Sequence, residues 1–224
     1  ARVLIAGLIG NVMEWYDFAL YGYFATVIGQ QFFPSNNPTA SLIGAFGAFA
    51  AGFIVRPLGG VVYGRIGDLV GRRRALSLAV MAMAIPTVAM AFLPTHAQIG
   101  IAAPIAVVLL RLLQGISAGG EYTTSIIFLA EAAPDRQRGF YSIWGLWGSV
   151  LGMLMGSAFG DLLTRTLTQP QLDAWGWRVA FALGSLVALT GVIIRQGVGE
   201  DDASATTKTP LTSTLGVHRR SFLR

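Results

Sequence analysis

Residues 56–74 read R-P-L-G-G-V-V-Y-G-R-I-G-D-L-V-G-R-R-R. The stretch opens inside an apolar run with Arg56 and closes on Arg72, Arg73 and Arg74. Between them sit Gly59, Gly60, Gly64, Gly67 and Gly71, and one acidic residue, Asp68. An apolar run that ends in a cluster of arginines and is followed by another apolar run has the form of a hairpin. The chain is expected to leave a membrane here, turn sharply at the cytoplasmic surface and re-enter.

Composition supports a membrane setting. Of 224 residues, 54% are hydrophobic and 12% charged, and the mean hydropathy is +0.60. Soluble domains carry about 25% charged residues. Glycine is abundant, at 28 residues, as expected where helices approach closely in lipid. The pI near 10.1 does not point to nucleic acid, because the basic residues are spread over several short loops; the charge reads as topology. There is no cysteine, which excludes disulfides, thiolate metal sites and cysteine nucleophiles. The chain begins at Ala1 without a signal-peptide pattern, so its N-terminus is expected to be trimmed.

Six apolar segments are expected to span, at about residues 3–33, 40–63, 75–93, 101–129, 140–163 and 177–194. At about 1.5 Å per residue, each is long enough for a hydrocarbon core of about 30 Å. The period-two alternation of a membrane barrel is missing, so helices are the spanning solution. The fold class is therefore an all-α membrane protein. The loop after the second segment holds Arg65, Arg72, Arg73 and Arg74; the loop after the fourth holds Arg136 and Arg138. Arg2 precedes the first segment, and Arg195, Lys208, Arg219, Arg220 and Arg224 follow the sixth. The opposite loops hold only Arg165 and Arg178. This bias places both termini and the arginine loops in the cytoplasm, and Trp175 and Trp177 at the outer interface. Residues 1–195 are expected to form the membrane domain. Residues 196–224 are expected to form a flexible linker and a basic, amphipathic lead-in to a further helix.

Ionisable groups inside the apolar segments carry the chemistry. A charge at the centre of a spanning helix costs about 2.5–3.5 kcal/mol on insertion scales, so it needs a partner and usually a role. Asn11, Glu14, Asp17 and Tyr21 are spaced to fall within about 120° of helical arc, forming one polar stripe that faces a bundle interior or aqueous cavity. Arg56 needs an acidic or solute partner at similar depth. Arg111 and Glu121 lie about 15 Å apart along one axis; they cannot pair directly, but with Gln114 and Tyr122 both can line a wide cavity. These groups are either ion pairs that staple helix to helix or a solute path with a proton-coupling carboxylate. No nucleophile–base pair, Walker loop or zinc motif occurs, so neither an enzyme nor a metal site is expected. Gly148, Gly152, Gly156 and Gly160 recur every four residues and form a ridge for a close helix neighbour.

Several motifs carry a family resemblance. G-R-I-G-D-L-V-G-R-R-R (residues 64–74) resembles the signature loop between helices 2 and 3 of the major facilitator superfamily, and R-L-L-Q-G (residues 111–115) its helix-4 motif. Four further stretches resemble the metabolite:proton symporter branch, with its proline/betaine, 2-oxoglutarate, citrate and shikimate carriers. They are G-N-V-M-E-W-Y-D-F-A-L-Y-G (10–22), V-R-P-L-G-G (55–60), Q-G-I-S-A-G-G-E-Y (114–122) and A-E-A-A-P-D-R-Q-R-G-F (130–140). W-G-W-R (175–178) is similar to that branch as well. The chain departs from the pattern at Leu69, where a basic residue usually follows the loop aspartate.

The resemblance implies a six-transmembrane-helix bundle, the N-terminal half of a twelve-helix carrier, made of two inverted three-helix repeats. It implies proton-coupled symport of a small organic solute, a carboxylate or a zwitterion such as an osmolyte, by alternating access in the inner membrane, with no cofactor beyond the coupling proton. Asn11, Glu14, Asp17, Tyr21, Arg56, Arg111, Gln114, Glu121 and Tyr122 would line the solute and proton pathway. Gly64, Asp68, Gly71, Arg72 and Arg73 would form a cytoplasmic gate, with Glu131 and Arg138 as the matching charges. Since 224 residues hold half of such a carrier, the expected partners are the lipid bilayer, the small solute and either a C-terminal six-helix half or a second copy. A non-transporting sensor or adaptor on the same half-fold is the alternative.

Overall fold

The computed structural model describes residues 2–134 and 136–196. The linker and basic tail expected at 196–224 lie, past Gln196, outside the described residues, as do the side chains of Arg72 and Arg73. Among the described residues there is no β-strand. The first span is α1 (Arg2–Tyr23) followed by α2 (Ala25–Phe32), and the second is α3 (Pro38–Ile54) followed by α4 (Arg56–Val70). The third span is α5 (Arg72–Phe92). After a short α6 (His96–Ile99) come the fourth, α7 (Ala102–Glu131), and the fifth, α8 (Arg138–Thr166). A single turn, α9 (Gln169–Gln171), and a π-helical turn (Leu172–Gly176) lead into the sixth span, α10 (Trp177–Gln196).

Two expected spans are interrupted. The first breaks at Phe24 and the second at Val55. Pro57 explains the second break: it has no N–H to donate, and its ring crowds the preceding turn. Arg56 thereby becomes the first residue of a new helix rather than a mid-helix residue. By length and composition, 38–70, 74–92, 102–131 and 138–166 are apolar enough to cross a membrane. The first span carries Asn11, Glu14 and Asp17, all fully enclosed, so its polar character is spent on the interior.

The signature loop is also shorter than expected. Helix α4 continues through Asp68 to Val70, and α5 begins at Arg72, so the hairpin turn is Gly71 alone. Its φ of 93° and ψ of 147° lie in a region open almost only to glycine. The corresponding turn after α7 uses Arg136 at φ 70°.

The packing has an internal two-fold pattern. The first span packs on the fifth and the second on the fourth; the third packs on the fourth and the sixth on the first. The third and sixth pack on each other. Exchanging spans one, two and three for four, five and six leaves this set of neighbours unchanged, as two related three-helix repeats require.

Glycines set the two closest approaches. A Cβ on Gly148, Gly152 or Gly156 of α8 would run into the carbonyl oxygens of Leu8, Val12 and Tyr16 on α1. A Cβ on Gly115 or Gly119 of α7 would run into the carbonyls of Gly52 and Arg56, and one on Gly59 into that of Ile116. The ridge expected at 148–160 is thus a packing surface. In both pairs the contacts advance in the same direction along the two chains, so each pair runs parallel. Span ends therefore alternate, and the turns after α4 and α7 share one end of the bundle.

Three apolar layers fill the interior. Leu76, Phe128 and Leu129, with Leu4 and Trp144 against them, close the end that carries the arginine turns. Met13, Phe18, Val80, Met83 and Ala118 form the middle. Phe24, Ile28, Phe32, Met90, Trp177 and Phe181 fill the opposite end. Of the two tryptophans expected at the outer interface, Trp177 is fully buried against Phe32 and Phe181, while Trp175 is exposed.

Candidate functional site

The polar stripe of α1 faces inward. Asn11, Glu14, Asp17 and Tyr21 are each no more than 1% exposed. Because they lie on one face, each meets a different neighbour. Asn11 Nδ2 donates to Ser125 Oγ at 2.9 Å on α7, and Ser125 in turn donates to the Tyr122 carbonyl. The Tyr21 hydroxyl donates to the Ala45 carbonyl at 3.0 Å on α3.

Asp17 is the centre of a hydrogen-bond network in which Arg111 Nε and Nη2 and Gln114 Oε1 have no partner. Arg111 Nη1 of α7 lies 2.7 Å from Asp17 Oδ2, and both side chains are wholly enclosed. Gln114 Nε2 donates to Asp17 Oδ1 at 3.1 Å and reaches Thr87 Oγ1 at 3.0 Å. The Thr87 hydroxyl is 3.2 Å from Asp17 Oδ1 and 3.0 Å from the Met83 carbonyl. The Arg111 guanidinium lies 4.0 Å from the Tyr21 ring centroid, a favourable cation–π distance. The carboxylate thus meets donors on two other spans, as a buried charge requires.

Glu14 forms the second pair. Arg56 Nη2 lies 2.9 Å from Glu14 Oε1, with the glutamate side chain 1% and the arginine side chain 20% exposed. The guanidinium sits among aromatic rings, with Cζ 4.0 Å from the Phe53 centroid, 4.5 Å from Phe18 and 5.8 Å from Trp15. Here the carboxylate itself lacks hydrogen-bond donors. Neither Glu14 oxygen, nor Arg56 Nε or Nη2, nor Trp15 Nε1 has a hydrogen-bond partner.

Arg111, Gln114 and Glu121 are all buried, and Glu14 and Glu121 border a narrow crevice between α1, α5 and α7. The bundle closes because the α4–α7 and α1–α8 glycine contacts bring backbones together and leave the polar groups facing one another. Tyr122 is half-buried. At the arginine-turn end, Asp68, Gly71, Glu131 and Arg138 are exposed, and Gly64 is half-buried.

Sequence reasoning missed Thr87, Trp15, Phe18 and Phe53. Thr87 follows Pro86 within an apolar span, and a polar residue beside a helix-interior proline was the available signal. The aromatic residues gave none, since apolar spans are rich in such rings. Among the described residues, no group of three or more acidic or histidine side chains could hold a metal.

Residues 3–200 match the family of sugar (and other) transporters. The chain belongs to this family. Within it, the chain is similar to the glycine betaine/proline/ectoine/pipecolic acid transporter OusA of Dickeya dadantii (strain 3937), with 40% identity over 90% of this chain and 40% of the relative. It is 35% identical to the shikimate transporter of Escherichia coli (strain K12), over 100% of this chain and 53% of the relative. The chain thus spans about half the length, or less, of these curated relatives, which are transporters rather than enzymes. In fold it is similar to the major facilitator superfamily proton:xylose symporter XylE bound to 6-bromo-6-deoxy-D-glucose. The TM-score is 0.80 at 21% identity, covering 89% of this chain and 44% of that one. The six-helix bundle is the N-terminal half of a major facilitator fold, built from apolar helices of a membrane protein.

Proposed function

We propose that the chain forms the N-terminal half of a secondary active transporter that carries a small organic solute, a carboxylate or a zwitterion, together with protons. The observation that carries this reading is the pair of buried ion pairs, Glu14–Arg56 and Asp17–Arg111, which tie α1 to the second and fourth spans. Structural stapling alone would need only one hydrogen-bonded pair. Here both Asp17 oxygens accept hydrogen bonds while neither Glu14 oxygen does, and both arginines keep Nε and Nη2 without a partner. The solutes in the relatives' names, glycine betaine, proline and shikimate, all carry a carboxylate, which suits Arg56 and Arg111.

In this reading Asp17 is the coupling carboxylate. Its protonation would leave Arg111 a buried cation without a counter-charge, a state costing about 3–5 kcal/mol. The bundle would relieve that cost by changing shape, which is the link an alternating-access symporter requires. Glu14, Arg56, Asn11, Tyr21, Gln114, Glu121 and Tyr122 would complete the pathway. The turns holding Gly64, Asp68, Gly71, Arg72 and Arg73, and Glu131 and Arg138, would gate the cytoplasmic end, with both termini on that side of the inner membrane. A second six-helix half, or a second copy, would supply the facing wall, and residues 196–224 would connect to it.

The test is uptake of labelled glycine betaine, proline or shikimate by the full-length protein in liposomes under an inward proton gradient. Accumulation that a protonophore abolishes is expected. Uptake indifferent to the gradient sinks proton coupling. Solute binding without flux favours the sensor reading instead.

A further inference from the structure

The two ion pairs differ in one respect that assigns them different work. The Asp17 carboxylate has its donors in place: Arg111 on one oxygen, Gln114 and Thr87 on the other. The Glu14–Arg56 contact, at 2.9 Å, is a contact of charges without a hydrogen bond. Neither Glu14 oxygen has a hydrogen-bond donor, whereas both Asp17 oxygens do; Nε and Nη2 are without a partner on both arginines. Buried polar atoms are almost always partnered, so a buried carboxylate with neither oxygen hydrogen-bonded marks a place suited to a further molecule. Arg56 is also the partly exposed member, so the pair can be reached from the bundle surface.

Building on the transport reading, we infer that a zwitterionic solute splits the Glu14–Arg56 pair. Its carboxylate takes Arg56, and its ammonium takes Glu14 and the aromatic pocket of Phe53, Phe18 and Trp15 that the guanidinium fills in this structure. Charge balance selects this solute class. One ion pair becomes two, and no net charge enters the hydrocarbon. A simple carboxylate entering the same place would pair with Arg56 and strand Glu14; a simple cation would strand Arg56. Either stranded group is a buried, uncompensated charge. The rings add selectivity because they already hold a soft cation at 4.0 and 4.5 Å, and a quaternary ammonium suits the same π faces. Glu14 and Phe53 are then the residues that separate zwitterions from plain anions, while Asp17–Arg111 is left to the proton.

Glycine betaine and 3,3-dimethylbutyrate test this directly. They share shape and carboxylate, but a neutral carbon replaces the ammonium nitrogen in the second. Binding to the full-length protein in detergent can be followed by tryptophan fluorescence, since Trp15 borders the pocket. The wild type should prefer glycine betaine by about tenfold or more. Glu14→Gln should bring the two probes close to parity by weakening glycine betaine. Phe53→Leu should weaken glycine betaine severalfold and leave dimethylbutyrate unchanged; if Glu14→Gln does not fold, this variant decides alone. Equal binding of the two probes by the wild type, binding of neither, or a preference that survives both substitutions overturns the inference. Gradient-driven uptake with no change of preference in the variants would sink this site and leave the transport reading intact. An ammonium preference erased by Glu14→Gln in a protein that shows no flux would do the reverse.

Discussion

Arg111 Nη1 and Asp17 Oδ2 meet at 2.7 Å with neither side chain exposed. The contact joins α1 to α7, the first helices of the two three-helix repeats. Removing one partner leaves the other as a buried, unpaired charge. Arg111→Ala and Asp17→Asn should each cost about 3–5 kcal/mol of stability. Asp17→Asn with Arg111→Gln should recover most of that loss, yet leave gradient-driven uptake abolished. Thermal unfolding in detergent with parallel uptake measurements checks both halves. The partly exposed Arg56 should tolerate Ala better than Arg111 does; an equal loss at both positions would show that exposure does not separate the two pairs.

The α4–α7 contact should be intolerant of one methyl group. Gly119→Ala places a Cβ against the Arg56 carbonyl, backbone against backbone, so the helices must move apart at a cost of about 1–3 kcal/mol. Gly47→Ala is the control: nothing lies near its Cβ, and alanine there should stabilise the helix by about 0.5–1 kcal/mol. Opposite shifts in melting temperature are expected.

Gly71 is a separate case, because space around it is open but its φ is 93°. Gly71→Ala should cost about 1–3 kcal/mol through backbone strain alone, and in the transport reading should slow flux more than it weakens solute binding. A variant as stable as the wild type would mean that the turn can adopt an ordinary conformation.

The absence of cysteine allows a direct test of orientation. Ser35 lies in the exposed turn between α2 and α3, and Arg136 in the exposed turn between α7 and α8. With a membrane-impermeant maleimide, Ser35→Cys should react in intact cells and Arg136→Cys only in inside-out vesicles. The reverse pattern would invert the assigned topology.

Most of the helices were legible from the sequence, because hydrocarbon permits few spanning backbones and a long apolar run is a strong, local signal. The inward direction of Asn11, Glu14, Asp17 and Tyr21 was legible for the same reason: helical periodicity puts them on one face. The breaks at Phe24 and Val55 were harder. Pro57 announces the second, but nothing in the residues around Phe24 marks the first.

By itself the sequence determined the helical class, a hairpin within residues 56–74, the small-residue ridges and the need of each buried charge for a partner. Those depend on local composition, periodicity and the cost of charge in lipid. Tertiary structure alone decided who the partners are. Arg56 joins Glu14 rather than Asp17, Arg111 joins Asp17 rather than Glu14, and Thr87 and three aromatic rings complete the two sites. Pairing across helices depends on how closely and in what register the backbones meet. Here the glycines of α7 and α8 fix that, at contacts between residues far apart in the chain.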